Sequence, residues 1–146
     1  MRFMIIVPGS PETEDGVTGT EQQFADMHAY NEEMFKAGVF VDGQGLHPTS
    51  KGARLTYDDG EWTVTDGPFA EAKELIAGFT IIDVSSREEA IEWLRRWPAS
   101  CAPEPGQALE LRQVFAAEDF GDEYTPELRA REERMRAEAA RNAAGG

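Results

Sequence analysis

Apolar residues fall into short runs separated by Gly-, Pro- and Asp-rich punctuation, and the spacing inside each run predicts its element. Arg2–Val7 sets Phe3, Ile5 and Val7 against Met4 and Ile6. Both sides of that segment are apolar, which predicts a strand covered on both faces. Residues 9–19 carry Gly, Pro, Thr and acids and predict a loop. Thr20-Glu21-Gln22-Gln23 matches a capping box, so a helix is expected from Thr20 to about Ala37, stopped by Gly38. Its stripe at helical spacing reads Phe24, Met27, His28, Asn31, Met34, Phe35, with two polar residues, His28 and Asn31, inside it. Val39-Phe40-Val41 predicts a short strand before the turn-rich Asp42–Gly45.

Ala53–Tyr57 and Glu61–Thr65 flank Asp58-Asp59-Gly60, a hairpin signal. Asp66-Gly67-Pro68-Phe69 reads as a turn, Ala70–Ile76 as a connector and Gly78–Val84 as a strand. Ser86 and Glu89 open a second helix that buries Ala90, Trp93, Leu94 and Trp97 and ends at Pro98. A Pro-rich loop then leads to a last strand, Leu109–Phe115. Beyond the acidic connector 118–124, Thr125 as N-cap and Pro126 at the first position start a final helix with a thin apolar stripe.

The order β-α-β-(hairpin)-β-α-β, then a helix, predicts an α+β chain: a ferredoxin-like domain with an inserted β-hairpin and an extra C-terminal helix. The expected division is 1–117 for the domain and 118–146 for the connector and peripheral helix. With both helices on one sheet face, the other face stays bare. The two-sided apolar character of Arg2–Val7 then predicts a second subunit over it, giving a homodimer with a dimeric α+β barrel.

Composition narrows the functional classes. The chain has 146 residues, 28 acidic against 14 basic side chains and a formal charge of −14. Such a field repels polyanions, so nucleic acid is not an expected partner. No run approaches the roughly 20 apolar residues that cross a bilayer, and the apolar start of the chain ends at Pro8 without a cleavage site. A single cysteine, Cys101, fits a reducing compartment, and a cytoplasmic location is expected. Two His and one Cys without tight spacing predict no metal site. Gly43-Gln44-Gly45 precedes no helix, so no nucleotide cofactor is expected.

The stretch Thr65–Phe79 (TDGPFAEAKELIAGF) resembles the DGPF signature of YCII-related proteins. Gly38–Pro48 (GVFVDGQGLHP), Ser50–Arg54, Glu88–Trp93 and the tail from Arg112 to Leu128 are similar to further blocks of that family. Ala72 stands where the family's common form has Thr, and the run 98–106 differs from the loop of the long subgroup. The resemblance implies the dimeric α+β barrel. It also implies, for some members, association with extracytoplasmic-function sigma factors, and for a related branch a His–Asp active site.

Three residues are candidates for acid–base chemistry. Asp66 begins the turn and could present its carboxylate, and His28 or His47 could pair with it as a proton shuttle. Asn31 could floor a cavity, Phe69 wall it, and Lys73 or Arg54 hold an anionic substrate. Each also has a plain structural reading as turn, core or solvated surface. Cys101 has no partner His nearby in sequence and is a poor candidate nucleophile. The expectation is a cofactor-independent lyase- or isomerase-type enzyme. The alternatives are a ligand-binding or regulatory module associated with a sigma factor, and a non-catalytic structural dimer.

Overall fold

The computed structural model of the chain describes residues 1–70 and 74–146. Two compact units can be separated, Met1–Val114 and Phe115–Gly146.

The first unit is α+β. Its strands are β1 (Arg2–Pro8), β2 (Phe40–Gly45), β3 (Ala53–Asp58), β4 (Glu61–Asp66), β5 (Ile76–Asp83) and β6 (Glu110–Gln113). Its helices are α1 (Pro11–Glu14), α2 (Glu21–Lys36) and α3 (Arg87–Arg95). The main sheet runs β2-β5-β1-β6, antiparallel throughout, and β3-β4 form a separate hairpin. That order, with both helical crossovers skipping a strand, is compatible with a ferredoxin-like layer carrying an inserted hairpin.

The register fixes which side chains share a face. Phe3 opposes Ile82 and Ile5 opposes Thr80, while Met4 opposes Ile81 and Ile6 opposes Phe79. The first set points toward α2 and α3. There Phe3, Ile5 and Ile82 join Tyr30, Met34, Ala90 and Trp93 in one core, and Ile5, Met34 and Ile82 are fully buried. The second set, Met4, Ile6, Phe79 and Ile81, forms a half-exposed apolar row on the opposite face.

Local chemistry explains the helix starts. The Thr20 hydroxyl accepts from the Gln23 N–H (3.2 Å), and the Gln23 side chain accepts from the Thr20 N–H (2.8 Å), as the capping box predicts. Residues 9–19, read as loop, instead contain α1, capped reciprocally by Ser10 and Thr13. Ser86 caps α3, but Glu89 accepts from the backbone and hydroxyl of Ser85 rather than closing a reciprocal box with Ser86.

The face of α2 corrects the sequence reading. The helix buries Tyr30 and Met34, with Met27 half-buried beside them, whereas His28 is exposed and Phe24 and Phe35 are 50% and 61% exposed. The stripe is therefore rotated: Met27, Asn31 and Met34 stay on its inner side, Tyr30 joins them, and Phe24, His28 and Phe35 leave it. Tyr30 draws the rotation because both of its ends are satisfied. Its ring packs edge-on to Trp93 and Trp97 (6.5 and 5.6 Å between centroids), and its hydroxyl donates to the Trp93 carbonyl at 2.9 Å. Burial pushes the phenol up to about 12.

The hairpin turns through Asp59 (φ 48°) and Gly60 (φ 83°), the left-handed pair of a two-residue loop. One of its faces carries Leu55 opposite Val64 and Tyr57 opposite Trp62. All four are more than half exposed.

In the second unit α4 (Pro126–Ala144) starts at Thr125, whose hydroxyl accepts from the Leu128 N–H. Phe115 stacks on Phe120, and Tyr124 packs tilted against Phe120, with centroids 5.1 and 5.0 Å apart. Glu132 pairs with Arg136 one turn along α4. Among the described residues no helix is long and apolar enough to cross a membrane.

Candidate functional site

The segment Asp42–Gly45, expected as a turn, is part of β2, with an irregularity in pairing between Phe40 and Asp42. Across the β2–β5 ladder Gly43 and Gly78 answer to close approach, whereas a Cβ on Gly45 would meet open space. Gly43 opposes Thr80 and Gly45 opposes Gly78 across the β2–β5 ladder. A Cβ on Gly78 would lie 2.7 Å from the Gln44 carbonyl oxygen, and one on Gly43 would lie 3.3 Å from Phe79 O and Thr80 Oγ1. The opposed pair Gly45 and Gly78 sends no side chain up toward α2, and a cavity of about 440 Å³ lies there.

Phe24, Met27, Phe40 and Trp97 supply apolar wall, and Asn31 and Thr80 supply polar groups. Asn31 is half-buried and Thr80 is 9% exposed. Neither side chain makes a hydrogen bond among the described residues, neither holds a fully buried orphan atom, and both residues line the cavity.

One side of the cavity is closed by the short 3-10 turn Ala99–Cys101, which is tied to α2. Gln23 donates to the Ser100 carbonyl (2.8 Å), Ser100 donates to Asp26 (2.6 Å), and the Cys101 thiol lies 3.5 Å from the Gln23 carbonyl. The bonds from Ser100 and then Gln22 hold the Asp26 carboxyl below its ordinary value of 3.8. A carboxylate depressed in the fold stabilises it above the unfolded value and loses that contribution as pH falls through the folded one. Melting temperature should therefore fall as pH drops below about 4, and Asp26→Asn should flatten that fall. Identical profiles for the two proteins would show that the tie carries no stability.

The other candidates lie elsewhere. His28 sits on the exposed side of α2, and His47 is exposed just beyond β2. Asp66 ends β4 opposite Ala53 and is exposed. None of the three lines this cavity, and among the described residues no hydrogen bond or ion pair joins Asp66 to either imidazole. The expectation that His28 faces the sheet is thus corrected by the rotation of α2.

Arg54 and Phe69 do meet: the guanidinium lies 4.0 Å from the ring centroid. The turn itself is anchored by Thr49. Thr49 Oγ1 accepts from the Phe69 N–H (2.9 Å) and donates to Glu14 (2.5 Å). Lys73, together with Glu71, lies outside the described residues. Among the described residues no group of three or more His, Cys, Asp or Glu side chains could hold a metal ion. A second hollow, of about 760 Å³, has Ile6, Pro8 and Ile76 in its lining together with Glu74, Glu104 and Glu110.

Residues 1–115 match the YCII-related domain. The chain belongs to that family. An uncharacterized protein of Rhizobium meliloti (strain 1021) is 39% identical to it over 75 residues, covering 51% of this chain and 60% of that protein. The shared stretch thus spans less than two thirds of the relative's length. The YCII-related match takes in every strand and the whole wall of the α2 cavity, and stops before α4.

Thr80, which lines the same cavity as Asn31, went unnoticed in the sequence. It is the one hydroxyl in the apolar strand Gly78–Val84, and its signal is that break in pattern.

Proposed function

We propose that this YCII-related chain is a small-molecule-binding domain that works as a homodimer, with its site in the cavity beneath α2. The observation that carries the reading is the pair Asn31 and Thr80, an amide and a hydroxyl that make no side-chain hydrogen bond among the described residues and line a largely apolar hollow. A few convergent polar groups among apolar walls are what fixes a ligand's orientation. Binding is favoured over acid–base catalysis because Asp66, His28 and His47 stand outside that cavity.

A fragment library screened through backbone amide shifts should move Gly43, Gly78 and Asn31 together. Hits that map instead to the turn around Asp66 would overturn this site and revive the His–Asp reading.

The homodimer rests on the apolar row Met4, Ile6, Phe79 and Ile81, which is half-exposed in the single chain. A second copy over that row would face sheet against sheet and remove it from water. Light scattering at micromolar protein should report about twice 16.2 kDa. Ile81→Glu, which places a charge in the middle of the row, should shift the mass toward one chain. A monomer for the unmodified protein would remove the barrel.

A further inference from the structure

We infer that the α2 cavity takes an electrically neutral, flat aromatic molecule bearing a hydrogen-bonding group of the carboxamide kind. The inference rests on the cavity being the binding site. Its ground is the charge of the lining. Asp, Glu, Lys and Arg make up 29% of the chain, yet none of the described residues around this cavity is charged. Two other hollows differ: one has Glu74, Glu104 and Glu110 in its lining, and one along α4 is lined by Arg131, Arg134, Glu138 and Arg141.

An ionised ligand entering the neutral cavity would shed water without a counter-charge to replace it. An anion would also enter against the field of a chain with formal charge −14. A cation would find no carboxylate in the wall. Asp26, on the same helix, is bonded to Ser100 and Gln22 and does not line the cavity.

The walls set the shape. Phe24, Phe40 and Trp97 offer ring faces and edges, and Met27 a polarizable thioether. The glycine-lined floor lets a flat molecule lie close to the strands. The volume, about 440 Å³, falls at the small end of ligand pockets and suits one or two fused rings. Asn31 both donates and accepts, as does Thr80, and a carboxamide answers each with the complementary group.

The test uses two matched triplets at pH 7: benzamide, benzoate and benzamidine, then 2-naphthamide, 2-naphthoate and 2-naphthamidine. Each is titrated into the full chain and followed by amide chemical shifts. The amide of a triplet should bind at least about tenfold tighter than either ionised member, a difference of about 1.4 kcal/mol. Its shifts should centre on Asn31, Gly43 and Gly78, and Asn31→Leu should weaken it by about tenfold. If Asn31→Leu does not fold, Thr80→Val gives the same comparison. A carboxylate or amidine that binds at these resonances as tightly as its amide overturns the neutral class and leaves the site standing. Six titrations with no shift around the cavity overturn the site as well.

Discussion

Gly67→Ala is expected to destabilise the chain by about 3 kcal/mol or more, beyond the usual range for overpacking because the clash is with backbone. A Cβ at this position would overlap the carbonyl of Thr49. Neither side can yield cheaply. Gly67 donates its N–H to the Gly52 carbonyl (3.0 Å), and Thr49 is held by Glu14 through its N–H (3.1 Å) and its hydroxyl (2.5 Å). The same hydroxyl accepts from Phe69. Shifting Gly67 therefore disturbs contacts reaching back to α1. Gly60→Ala is the control. Its φ of 83° strains any side chain, but nothing lies within 4 Å of the added carbon, so a loss of about 1 kcal/mol is expected. Urea unfolding of both variants separates the two causes. Gly67 has no positive φ, so a loss no larger than that of Gly60→Ala would show that the approach to Thr49 does not demand the glycine. The Asp66-Gly67-Pro68 turn thus has a packing reason for its glycine, independent of any chemistry at Asp66.

The second large effect tests the rotation of α2. Met34→Ala should cost about 3 kcal/mol, within the usual span for emptying a buried methionine site, because Met34 is fully buried against the sheet. Phe35→Ala should cost less than about 1 kcal/mol. That ring is 61% exposed and packs on Phe40, at 4.3 Å between centroids. Thermal melts or urea curves read both. A loss at Phe35 as large as that at Met34 would restore the stripe predicted from the sequence, which held both.

That comparison also shows where sequence reading reaches its limit. The capping boxes at Thr20 and Ser10, the hairpin turn at Asp59-Gly60 and the stop at Pro98 involve residues within a few positions of one another. Thr20, the turn and Pro98 were legible, but the Ser10 cap was missed among loop-forming residues. The side of α2 that faces inward was not legible. Two overlapping stripes both have helical spacing, and the choice was made by Tyr30 reaching a carbonyl 63 residues away. The candidate site follows the same logic. Asn31 stood out as polar within an apolar stripe. Thr80 and the glycines of β2 acquire meaning only once β2 and β5 are set in register. Asp42–Gly45 carries every mark of a turn, yet it pairs along β5, and of its two glycines only Gly43 comes close to the neighbouring strand.

The strand order has a consequence for how the chain comes into being. β1 precedes both of its neighbours along the chain, since β5 and β6 begin at Ile76 and Glu110. During synthesis at about 5–20 residues per second, its apolar segment waits roughly 5–20 s for the second of them. Until then the nascent chain presents an unpaired edge with Phe3, Ile5 and Ile6 uncovered, the condition that invites pairing with other chains. Closure of such distant pairs is also intrinsically slow. A ribosome halted before Gln113 would hold a sheet lacking β6, so the yield of folded protein depends on what shields β1 in that interval.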